Sequence, residues 1–136
     1  MTDLLALADE IEALTAPSRE MDARIEDTIG PESAYPGSHL LKHFAGDRRQ
    51  YLARVASFYT ASIDDAYALL RERMPGWRCV IEAGGPAAYV TVWSKDEDDA
   101  TQVGAAATIP MAICAAVVRA VAAKGELEIP ALTRHP

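Results

Sequence analysis

Two helix starts with their caps written out bracket the strands of this chain, and they limit what it can fold into. One is Tyr59-Thr60-Ala61-Ser62-Ile63-Asp64-Asp65-Ala66, the other Thr108-Ile109-Pro110-Met111-Ala112-Ile113-Cys114. Ser62 with Asp65 three residues on has capping-box spacing, aspartate standing for the longer glutamate, and Thr60 is a competing cap. Thr108 caps the second helix, with Pro110 in the first turn, where its missing N–H is no loss. The first helix spans residues 62–74 with Ile63, Ala66, Tyr67, Leu70 and Met74 as its buried stripe, and the second runs from 108 to Lys124, stopped by Gly125. Between them, Pro75-Gly76 turns the chain into the β-rich run 77–83. Gly84-Gly85-Pro86 separates it from a second run, 87–93, which makes a hairpin. Alternation places Tyr89, Thr91 and Trp93 on one face and Val90 and Val92 on the other. Residues 100–105 supply a short third strand.

Upstream, Leu4, Leu5, Leu7, Ala8, Ile11 and Leu14 recur at helical spacing, with Asp3 at the start. A second helix follows Thr15-Ala16-Pro17-Ser18, with Pro17 suited to its first turn. Met21, Ile25 and Ile29 form its stripe, and Gly30-Pro31 ends it. Residues 31–58 are the least regular section, with short helices expected at 40–45 and 49–58. The tail, 126–136, is read as an edge segment or a mobile end. The layout is α+β, helices around a small antiparallel sheet.

The length of 136 residues fits one domain. Apolar residues make up 50%, but 26 of them are alanines, so the larger side chains must sit in a thin layer. A core this lean gains from an oligomeric interface, and a homo-oligomer is expected. A net charge of −7 argues against general nucleic-acid binding, which needs a basic footprint. The most apolar stretch, 105–123, is broken by Pro110 and carries Arg119, so it reads as a buried helix and not a membrane span. The start of the chain lacks the pattern of a secretory signal, and cytoplasmic residence is the expectation. Cys79 and Cys114 then read as free buried thiols, with one strut-like disulfide as the alternative.

Three segments, 16–25 (Ala-Pro-Ser-Arg-Glu-Met-Asp-Ala-Arg-Ile), 59–64 and 108–116, stand in an order that resembles the small phage and prophage proteins of the phage ABA sandwich domain. Met21 replaces the leucine of that group's Arg-Glu-Leu-Asp motif. The resemblance covers residues 16–124, with 31–58 as a variable insertion. It implies a sheet between helical layers (an α-β-α sandwich), a phage origin and no established enzymatic activity. Several unrelated phage families of this size trap nucleotide messengers of bacterial immunity, an analogy of size and context.

Catalytic and metal-binding patterns are weak. His39 and His43 share a helical face at i, i+4 but lack a third ligand, so surface histidines are the simpler reading. The acidic run 96–99 lacks the alternating ligands of a calcium loop and reads as a solvated turn. Asp64 and Asp65 suit a cap and the helix dipole better than a catalytic dyad. Ser57 and Ser62 have no nucleophile-elbow context. Gly84-Gly85-Pro86 lacks the Lys-Ser/Thr of a phosphate loop. Arg19, Glu20 and Asp22 form a structural ion-pair and capping network, or else Arg19 faces a ligand.

The binding signal is compositional. Lys42, Arg48, Arg49 and Arg54 oppose only Asp47, a local balance of +3 on an acidic chain, and they neighbour Tyr51, Phe58 and Tyr59. Guanidinium groups hold phosphate and aromatic rings stack on a base; a nucleotide needs both. A basic helix balancing acidic surface elsewhere is the bland alternative. The expected function is a non-enzymatic, oligomeric phage protein that sequesters a small anionic ligand, such as a cyclic nucleotide or cyclic ADP-ribose-type immune signal. Its contacts are Arg48, Arg49, Tyr51, Tyr59 and Trp93, with no metal or cofactor. The alternatives are a module that inhibits a bacterial host protein and an enzyme that degrades a nucleotide signal.

Overall fold

A computed structural model describes residues 3–30, 48–95 and 101–133, with side chains for 3–30, 51–95 and 101–124. The elements run α1 (Leu4–Glu12), α2 (Arg19–Ile29), α3 (Arg48–Val55), α4 (Ile63–Arg73), β1 (Arg78–Glu82), β2 (Ala88–Trp93), β3 (Gln102–Ala106) and α5 (Ile109–Thr133). The α+β class is as read from the sequence. The strands form an antiparallel sheet in the order β1-β2-β3.

Helix α5 is the axis of the molecule. Residues 111–118 are buried all round, as a helix apolar on every side must be. The sheet packs on it through β2 and β3, while α1 and α4 close its other sides. Alanines permit the close approach: Ala112 and Ala116 bring the helix backbone against Gly104 of β3. At Gly104 even a Cβ would collide with the Ala112 carbonyl and the Ala116 amide, so only glycine fits.

The hairpin alternation holds. Ala88, Val90 and Val92 are buried against α5, whereas Tyr89, Thr91 and Trp93 point to the outer face. Register places Arg78, Val80 and Glu82 of β1 and Val103 and Ala105 of β3 on that same outer face. Among the described residues the helices lie on the inner face of the sheet, and Val80, Tyr89 and Val103 on the outer face are exposed. Pro75-Gly76 turns the chain as read: Gly76 takes φ +81° and the Trp77 amide donates to the Met74 carbonyl at 3.0 Å, a type II turn.

Three helix starts are capped by side chains. Asp3 Oδ1 accepts from the Leu5 and Ala6 amides, Ser18 Oγ from Met21, and Ser62 Oγ from Asp65. Several details differ from the sequence reading. Pro17 precedes the Ser18 cap and is not in the first turn of α2. Asp65 does not close a box onto Ser62; its Oδ2 accepts from the Phe58 amide at 2.8 Å. Ile63 and Tyr67 are exposed and Leu69 is buried instead, because α4 rotates Ala66, Leu69, Leu70 and Met74 toward α5. Leu5 is likewise exposed on α1.

Thr108 caps through its backbone only: its carbonyl accepts from Ala112 at 3.0 Å, and its hydroxyl is the one buried side-chain oxygen without a partner among the described residues. Helix α5 passes Gly125 and continues to Thr133, replacing the expected edge segment or mobile tail. A glycine costs a helix about 1 kcal/mol, too little to end one whose earlier turns are locked in the core. Helix α3 covers most of the expected 49–58 segment. The expected helix at 40–45 and the acidic run at 96–99 lie outside the described residues.

Candidate functional site

Residues of the segments 16–25, 59–64 and 108–116 meet in space at a buried polar cluster. Asp22, one turn into α2, is 1% exposed. Its Oδ1 accepts from both the amide (2.8 Å) and the hydroxyl (2.7 Å) of Thr60, and its Oδ2 accepts from Arg19 at 2.9 Å. The Thr60 hydroxyl in turn accepts from the Ser18 amide at 2.9 Å. One turn further, Glu26 Oε1 accepts from the Tyr59 hydroxyl at 2.8 Å. The Cys114 thiol donates to the Tyr59 carbonyl at 3.3 Å, tying α5 to the same node.

Arg19 extends this cluster over the end of α3. Its guanidinium donates to the carbonyls of Ala53, Ala56 and Ser57, three acceptors that the end of the helix leaves open. The Phe58 ring lies 4.1 Å from its charge. The structural reading of Arg19 holds, since its donors are directed to backbone and to Asp22. Thr60, read as a competing cap for α4, is instead the partner of α2.

Burial, with the Glu26 carboxylate alongside, pushes the Tyr59 hydroxyl far above its usual range. Burial, and then the charge of Asp22, does the same to the Cys114 thiol, which favours its protonated form. Burial also raises Cys79, and both cysteines are free.

A second polar centre clamps the opposite side of α5. Arg119 forms a bidentate pair with Glu12, both contacts at 2.6 Å, and reaches Asp9 at 2.9 Å and the Val103 carbonyl at 2.8 Å. Glu12 also accepts from the Ala105 amide at 2.7 Å, so one carboxylate joins α1, β3 and α5. The Arg119 bond holds the Glu12 carboxyl below its usual range, and that same bond raises Arg119. The signal for this centre was a lone arginine inside an apolar helix.

Of the expected ligand contacts whose side chains are described, Tyr51 and Tyr59 are buried and Trp93 is half-buried. Tyr51 is buried with Ala23 and Leu52 in a small cluster beside α2. Tyr59 is buried in the main core with its hydroxyl committed to Glu26. Their rings are packing groups in this fold. Arg48 and Arg49 begin α3, and their side chains lie outside the described residues. Trp93 ends β2, half-buried on the outer face of the sheet, directly across from exposed Arg78. Tyr89 stands on that face too, across from Glu82, and is 49% exposed. Sequence reasoning missed Arg78, although hairpin register identifies it once the turn is placed.

His39 and His43 lie outside the described residues; among those residues no group of three or more His, Cys, Asp and Glu side chains is placed to hold a metal ion. Nor is any helix there long and apolar enough to cross a membrane. No family model, curated protein or solved structure matches the chain.

Proposed function

We propose that this chain acts by binding, as an oligomeric phage-type protein that sequesters a small anionic ligand of the nucleotide class, a sponge for an immune signal. The observation that carries this reading is the pairing of Arg78 with Trp93 on the open face of the sheet. A guanidinium beside an indole offers phosphate recognition and base stacking within one cross-strand pair, and Tyr89 adds a second ring on that face. In this reading Arg48 and Arg49, the first residues of α3, supply further positive charge for the ligand. The resemblance of residues 16–25, 59–64 and 108–116 to the phage ABA sandwich domain supplies the phage context.

Calorimetric titration with cyclic dinucleotides and cyclic ADP-ribose isomers tests it. Binding is expected to weaken at least tenfold in Trp93→Ala and Arg78→Ala. No heat with any of these ligands would remove the reading. Release of the ligand unchanged on heat denaturation separates a trap from an enzyme that degrades it.

A second reading, a module that clamps a bacterial protein, is favoured by exposed Val80, Tyr89 and Val103 on one contiguous face. Recovery of one stoichiometric host protein on the wild-type chain, lost with Tyr89→Asp, would favour it over a ligand trap.

A further inference from the structure

We propose that β1 pairs edge to edge with β1 of a second copy, antiparallel and centred on Val80, joining two three-stranded sheets into one of six strands. Among the described residues β1 is hydrogen-bonded on one side only, to β2, and its other edge carries free backbone donors and acceptors. Edge strands are ordinarily guarded by an inward-pointing charge, a proline or a bulge, and the centre of β1, Cys79-Val80-Ile81, has none of these.

The strand also overhangs the core. Val80 on the outer face and Ile81 on the inner face are 46% and 41% exposed, because α5 packs chiefly under β2 and β3 and only Cys79 of β1 reaches the core. Val80 and Ile81 therefore leave apolar surface exposed on both faces of the strand, while Cys79 is half-buried. A flanking strand would cover part of each while satisfying the open backbone groups.

The charges select a second copy as the occupant. Arg78 and Glu82 stand at opposite ends of β1 on the same face, about 13 Å apart, too far to pair with each other. Neither makes an ion pair among the described residues. A two-fold axis at Val80 sets Arg78 of each copy against Glu82 of the other, Cys79 against Ile81, and Val80 against itself. Five residues reading positive, three apolar, negative are complementary to their own antiparallel image, and a parallel or shifted pairing loses both ion pairs.

This inference goes beyond the ligand reading and does not need it, although Arg78 serves in both. The test is sedimentation equilibrium of the ligand-free full-length chain. The expected result is a concentration-dependent dimer, weakened about tenfold by Arg78→Glu or Glu82→Arg alone and restored in the doubly swapped variant. Because Glu82 has no part in the ligand reading, Glu82→Arg separates the two proposals. Ile81→Cys is expected to cross-link to the native Cys79 of the second copy under mild oxidation, and Cys79→Ser to abolish that cross-link. A monomer at every concentration overturns the proposal, as does a dimer indifferent to the single charge reversals or not restored by the double swap.

Discussion

Thr60 meets Asp22 twice, its amide at 2.8 Å and its hydroxyl at 2.7 Å converging on the same carboxylate oxygen. The contact spans 38 residues of sequence and fixes the start of α2 to the chain entering α4. A buried carboxylate is stable only when its oxygens are engaged, and Arg19 completes the set on Oδ2. Asp22→Ala leaves the Thr60 amide without its acceptor and strips Arg19 of its one carboxylate partner, leaving it only backbone carbonyls. We expect a loss of about 3 kcal/mol in urea unfolding; a loss below about 1 kcal/mol would show the cluster to be dispensable.

Tyr59 holds α2 from the opposite end of that cluster. Tyr59→Phe deletes one hydrogen bond to the buried Glu26 and should cost about 1–2 kcal/mol. The folded hydroxyl titrates well above its unfolded value, so its contribution is fully present below about pH 10 and fades as pH rises further. The wild-type chain is therefore expected to lose stability in the alkaline range more steeply than Tyr59→Phe. Equal slopes in pH-dependent melting would contradict that account.

The Arg119 clamp gives the opposite pH sign. Glu12 titrates below its unfolded value because Arg119 bonds its ionised form. Its contribution is present above the ordinary carboxylate range and is lost as pH falls through the folded value. Glu12→Gln should flatten the acid limb of the stability curve. Arg119→Ala, which frees α1 and β3 from α5 together, should cost about 2 kcal/mol at neutral pH by chemical denaturation.

At Gly104 the constraint is steric. Gly104→Ala puts a methyl group into the α5 backbone, and neither strand nor helix can yield without disturbing the core. The expected loss is about 3 kcal/mol, read as a lower midpoint in thermal or urea unfolding. A neutral result would mean that β3 and α5 stand further apart than described. Gly85→Ala in the hairpin loop, where the added methyl meets open space, is the matched control and should be nearly silent.

Much of the skeleton was legible because it is written in local chemistry. Asp3 and Ser62 are caps, Gly30 closes α2, and strict alternation sorts β2 into its two faces. The rotation of α4 was not legible: Ile63 and Tyr67 offer as apolar a stripe as Leu69 and Leu70, and only the surface of α5 decides which is buried. The same holds for the aromatic residues. Tyr51 and Tyr59 lie near basic residues in sequence, but the fold carries both rings into the interior.

The sequence by itself determined the α+β class, the hairpin, the Ser62 cap and the apolar axis that became α5, because each depends on a periodicity or on neighbours a few residues apart. Only the tertiary structure decided that Thr60 serves Asp22, that Arg119 clamps Glu12, and that β1 overhangs the core with Arg78 beside Trp93. Those relations join residues far apart in the chain. Their geometry depends on how closely an alanine-rich helix lets the sheet approach, which no local pattern encodes.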